Sequence, residues 1–171
     1  MKKTLTNWLI ILLVATSPIL LNAQDCVDYH KVNCKPPQSA VNYTTDQASR
    51  SGLLMKGQSS EFRLTFYQGR DYRITICNEA PLGDKVQYQI IDWEDQSVLY
   101  DSKVVNDRNE TTYEKNFEFS VLITRNVKIV VSVPADDKTL KTNTIGFKPK
   151  PTQMGCVGVL IESMITPKKG F

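Results

Sequence analysis

An all-β fold, two antiparallel sheets packed face to face as a sandwich of about seven to eight strands, is what this 171-residue sequence predicts. Three observations carry it: apolar residues alternate with polar ones in short bursts, Gly, Pro, Asn and Asp separate the bursts, and no long stretch has helical spacing. A sheet patterned this way has one apolar face. Burying each Val, Ile or Phe on that face is worth about 1.5 to 3 kcal/mol, so a second sheet is needed to cover the first.

The chain opens with Met1-Lys2-Lys3, an apolar run over residues 8–21 and a small residue at Ala23. This is the pattern of a secretory signal peptide cleaved near Ala23. The run is interrupted by Thr16, Ser17 and Pro18, and no other stretch approaches the length of a membrane helix. The mature protein is therefore expected to be secreted or periplasmic and not to span a membrane. Gln24-Asp25 stand before Cys26 where a lipid-attachment site needs small residues. Removing the leader takes two lysines from 21 basic residues, against 18 acidic ones. That near-balance disfavours nucleic acid or an acidic membrane surface as partner.

The expected organisation is a leader over residues 1–23 and an N-terminal segment over residues 24–57, irregular or with one short helix. A β-sandwich domain follows over residues 58–165, and a short tail over residues 166–171. The remainder after cleavage is the size of one domain. Four cysteines in an exported chain, Cys26, Cys34, Cys77 and Cys156, predict two disulfides. Three connectivities exist. The preferred one joins Cys26 to Cys34 across a short loop and Cys77 to Cys156 between two strands. Cys26, His30 and Cys34, spaced by four with Asp28 nearby, also have the spacing of a zinc site on a helix. An oxidising compartment favours the disulfides and a solvated His30, with no metal and no cofactor.

Phe62, Leu64 and Phe66 alternate with polar neighbours, and after Gln68-Gly69-Arg70-Asp71 the alternation resumes at Tyr72, Ile74 and Ile76. The spacing predicts a β-hairpin, with Gly69 supplying the positive φ of its turn and Arg70 and Asp71 facing solvent. Further strands are predicted at Val86, Tyr88 and Ile90, at residues 97–100, at Phe117, Phe119 and Val121, at Val127, Ile129, Val131 and Val133, and at residues 156–162. A long surface connection is expected over residues 138–153. The terminal Phe171 raises an outer-membrane barrel, but the strands are mostly shorter than the roughly 9 to 11 residues that cross a bilayer.

Phe62-x-Leu64 with Gly69-x-x-Tyr72-x-Ile74, Ile90-x-Asp92 leading to Val98-Leu99-Tyr100-Asp101, then Phe117-x-Phe119 and Val127-x-Ile129 together resemble the bacterial pre-peptidase C-terminal domain and its jelly-roll relatives. The ending Gly155-Cys156-Val157-Gly158-Val159, with the Cys77 strand, is similar to small exported Gram-negative proteins. The resemblance covers about half the chain. It implies a jelly-roll-like, non-catalytic accessory sandwich that assists secretion, folding or adhesion. The calcium-binding acids of some such domains correspond only loosely to Asp92, Glu94 and Asp95.

His30 is the sole histidine, and neither a nucleophile elbow nor a zinc-protease motif is present. Asp92, Glu94, Asp95 and Asp101 gather around Trp93 and offer paired carboxylates for glycoside hydrolysis as a third reading. The second reading is a carbohydrate-binding platform made of Trp93, Tyr88 and Tyr100. The favoured reading is a structural or interaction module of the bacterial envelope whose partner is an envelope protein or polysaccharide. Asn42-Tyr43-Thr44 and Asn109-Glu110-Thr111 are glycosylation acceptors only in a eukaryotic secretory route.

Overall fold

The computed structural model describes residues 26–38, 42–135 and 153–167. The expected leader, the 138–152 connection and the end of the tail lie outside them. The chain is all-β and antiparallel. One short helix, α1 (Tyr29–Asn33), precedes β1 (Thr44–Thr45), β2 (Arg50–Met55), β3 (Ser59–Phe66) and β4 (Arg70–Asn78). Then follow β5 (Gln87–Asp92), β6 (Val98–Asp101), β7 (Lys103–Val105), β8 (Thr111–Tyr113), β9 (Asn116–Ser120), β10 (Arg125–Ser132) and β11 (Met154–Ile165). Strands β1, β7 and β8 have two or three residues each; the other eight are the predicted set plus β2.

The first sheet runs β1-β11-β4-β9, with β2 also on β11, and the second runs β3-β10-β5-β6. Strands β7 and β8 form a separate ribbon. The alternating runs behave as predicted: Val127, Ile129, Val131 and Val133 are buried, as are Val86, Tyr88 and Ile90. They meet Tyr72, Ile74 and Ile76 from the first sheet to form the core between the layers.

Three expectations are corrected. The hairpin does not exist, because β3 pairs with β10 and β4 pairs with β11. The Gly69 connection, with φ of 75° at the glycine, carries the chain from one sheet to the other. Arg70 and Asp71 are not turn residues: Arg70 stands opposite Ile165, and Asp71 opposite Met164 on one side and Ser120 on the other. Second, part of the irregular N-terminal segment is strand β2, in register with β11 from Met55 opposite Met154 to Arg50 opposite Val159. The sheet therefore begins before residue 58.

Third, the disulfides join Cys26 to Cys156 and Cys34 to Cys77, with Cα atoms 5.4 and 5.0 Å apart. The reason is α1, which holds the two N-terminal cysteines at its opposite ends and lies flat on the outer face of the first sheet. One end is bonded to β11 and the other to β4. The flat approach requires Gly158, since a Cβ there would come within 2.9 Å of both Cys77 Sγ and His30 Cα.

Covering the outer face changes the character of β11 and β4. Residues 155–163 of β11 are buried without a break, and so are Tyr72 to Ile76 of β4. Strands buried on both faces lose the alternation of half-buried ones. Arg73 and Glu162 are thereby sealed beneath the N-terminal segment as an ion pair, Arg73 Nε donating to Glu162 Oε2 at 2.8 Å. Arg73 also donates to the Pro37 carbonyl at 3.0 Å, and its guanidinium lies 4.4 Å from the centre of the Tyr43 ring.

Candidate functional site

Strands β6 and β9 are the terminal strands of the two sheets, and between them the sandwich stays open. The opening is a cleft of about 400 Å³ lined by Leu99 and Tyr100 from β6, Phe117 and Phe119 from β9, and residues of the β9–β10 connection that include Leu122 and Ile123. Its size falls within the usual range for ligand sites.

Alternation along β9 sends Phe117 and Phe119 inward, and they build a floor of stacked rings. Tyr100 lies on Phe117 with centroids 3.7 Å apart and planes 16° from parallel, and Phe117 stacks on Phe119 at 5.2 Å. Phe66 meets the edge of Phe119 at 5.0 Å. The rim is apolar and open to solvent: Leu99, Leu122 and Ile123 are 45, 80 and 66% exposed. Arg125 supplies the one charged side chain in the lining, and it is bound to Asp92 Oδ2 at 2.8 Å.

The three aromatic residues of the predicted platform do not form a shared exposed face, although Tyr88 and Tyr100 are in contact. Tyr88 is wholly buried, tilted against Tyr100 with centroids 5.5 Å apart, so it has no face to offer a ligand. Burial pushes its phenol far above the ordinary range, with Tyr100 adding to the effect. Trp93 is half-buried beneath Arg63, whose guanidinium sits 3.3 Å above the indole centre. Only Tyr100 reaches the cleft. Its hydroxyl donates to Glu114 Oε2 at 2.6 Å, and burial together with that bond raises its pKa.

Of the four carboxylates around Trp93, those of Asp92, Asp95 and Asp101 are engaged in local structure. Asp92 accepts from the Glu94 backbone N–H at 2.8 Å and from Arg125, and both bonds lower its pKa. Asp95 accepts from the Ser97 backbone N–H at 2.8 Å, and its bonds to Ser97 lower its pKa as well. Burial works to raise Asp101, but bonds from the Lys103 backbone and the Gln89 and Gln87 side chains outweigh it. A glycosidase needs one carboxyl held protonated, and Asp92, Asp95 and Asp101 are all shifted the other way.

No protein-family model and no curated protein sequence matches the chain. Solved structures similar to it in part include two periplasmic lysozyme inhibitors. A periplasmic inhibitor of g-type lysozyme from Aeromonas hydrophila, PliG, has 8% identity and a TM-score of 0.43, over 75% of this chain and 94% of that one. PliG from Salmonella Typhimurium has 12% identity and a TM-score of 0.37, over 76% and 95%. Both likenesses are distant.

Outside the cleft lining, His30 is buried, not solvated. Its backbone N–H donates to Ser51 Oγ at 2.8 Å and its Nδ1 lies 2.7 Å from the same oxygen, an arrangement a neutral imidazole permits. Burial first, then the Lys31 charge, hold its pKa below 6.5. The pair tethers α1 to β2. The zinc arrangement required thiolates from Cys26 and Cys34, and both sulfurs are in disulfides.

In the sequence Phe117 and Phe119 read as ordinary strand residues, and no alternation marks Leu122 and Ile123. The available signal was in the connection: two adjacent bulky apolar residues where a turn calls for polar ones.

Proposed function

We propose that this chain is an exported, non-catalytic interaction module of the bacterial envelope, and that it holds a partner protein at the cleft between β6 and β9. The observation that carries this reading is the rim. A small ligand filling the cavity leaves Leu122 and Ile123 in water, whereas a protein surface covers the rim and the aromatic floor together. The two disulfides support an oxidising compartment, and the local bonds of Asp92, Asp95 and Asp101 support a role without turnover.

The reading is tested by placing a photo-crosslinking residue at position 122, and in a second strain at position 105, in the chain as produced by its own cells. Val105 is an exposed apolar residue of the β7–β8 ribbon and lines no part of the cleft. A discrete higher-mass adduct at 122 and none at 105 is the expected result. Equal adducts at both positions, or none at either, overturn the proposal.

A further inference from the structure

We propose that the segment entering the cleft is extended and joins the first sheet as a new strand beside β9, with apolar residues opposite Phe117 and Phe119 and a basic residue opposite Glu118. This rests on the reading of the cleft as the partner site and specifies how the partner is held.

The ladder between β4 and β9 decides which backbone groups are free. Ile76 N–H donates to Lys115 O at 2.8 Å and Val121 N–H donates to Arg70 O at 2.9 Å. Between these points Phe117 stands opposite Ile74, and Phe119 opposite Tyr72. Alternate pairs of an antiparallel ladder exchange both bonds, so Lys115, Phe117, Phe119 and Val121 turn their N–H and C=O toward β4. Asn116, Glu118 and Ser120 turn theirs away, and no strand among the described residues lies on that side.

Side chains follow the same alternation. Phe117 and Phe119 face the cleft, while Glu118 sits on the outer face with its side chain 48% exposed, 3.6 Å from Arg73. A strand laid here finds a row of free backbone groups, an apolar floor under every second residue and a carboxylate beside the residues between. This is the geometry of strand addition. Directly opposed residues share a face of the sheet, and unlike charges attract across the pair, so Glu118 selects a cation opposite it. The same carboxylate disfavours a second copy of β9 paired about Glu118, because two carboxylates would then face each other.

The probe is a fluorescent peptide, Thr-Val-Lys-Val-Lys-Val-Thr, titrated by anisotropy with the mature disulfide-bonded protein. Residues opposite Glu118 exchange backbone bonds with it; residues opposite Phe117 and Phe119 point their N–H away. N-methylation of the lysine amides is therefore expected to weaken binding by about tenfold or more, and N-methylation of the valine amides to leave it within about twofold. Glu118→Lys should reverse the preference in favour of Thr-Val-Glu-Val-Glu-Val-Thr. Equal loss from both methylation patterns, or equal binding of the acidic peptide to the unsubstituted protein, overturns the proposal. If no peptide binds while position 122 still cross-links to a protein, strand addition falls and the cleft reading stands; if neither occurs, both fall.

Discussion

Cys77 Sγ lies 2.9 Å from where a Cβ on Gly158 would stand, and that contact is the reason a glycine occupies the middle of the longest strand. His30 Cα is equally close and Cys34 Sγ is at 3.0 Å, so the helix backbone and a disulfide would both have to retreat from any side chain. Gly158→Ala should destabilise the protein by about 1 to 3 kcal/mol through overpacking, read as a lowered urea midpoint. Gly52, which has nothing near its own virtual Cβ, provides the control: Gly52→Ala should have little effect.

A non-reduced digest should yield one peptide pair joining Cys26 to Cys156 and another joining Cys34 to Cys77. The bridges close chain separations of 130 and 43 residues. Replacing either pair with serines should cost about 2 to 5 kcal/mol, measured by denaturation of the purified variant. A Cys26–Cys34 peptide in the digest would contradict the placement of α1.

Arg73 and Glu162 should be strongly coupled. Removing one buried charge leaves the other uncompensated, so Arg73→Met alone is expected to cost about 3 to 5 kcal/mol. Arg73→Met combined with Glu162→Leu should cost less than Glu162→Leu and Arg73→Met summed. A double-mutant cycle on chemical unfolding measures the coupling; strict additivity would mean that the pair is solvated.

His30 gives a pH dependence that can be assigned without ambiguity among histidines, since the chain has only one. The unfolded imidazole takes up its proton near 6.5, and the folded one only at lower pH because burial opposes the charge. Below about 6.5 the unfolded state therefore binds more protons, and stability falls as pH drops until the folded pKa is passed. Above that interval His30 contributes no slope. The proton NMR titration of the single imidazole should show a midpoint below 6.5, and His30→Gln should flatten the stability profile in the same interval.

Much of the fold was legible where one face of a strand is buried and the other wet. Val127, Ile129, Val131 and Val133 could be read directly because Lys128, Val130 and Ser132, which lie between them and are only half-buried, keep the period. Strand β2 was not legible, since Arg50-Ser51-Gly52-Leu53-Leu54-Met55 lies on the sheet margin and buries only Leu54. Alternation also cannot say which sheet a strand joins, so β3 and β4 read as a hairpin although their partners are distant in sequence. The disulfide pairing is hidden for a similar reason: proximity along the chain favours Cys26 with Cys34, but a helix separates their side chains and aims them at different strands. The cleft combines Tyr100, Phe117 and Leu122, which share a surface only after the two sheet edges meet.

The cross-link yield at position 122, measured with Leu99 intact and with Leu99→Asp, tests the cleft most directly. Leu99 lies across the opening on β6 and is exposed, so the substitution should spare the fold while placing a charge on the apolar rim. The expected result is a discrete protein adduct at 122 whose yield falls about tenfold with Leu99→Asp, as for loss of an interface anchor. An adduct of undiminished yield would contradict the account, because the partner would then be held somewhere other than between β6 and β9.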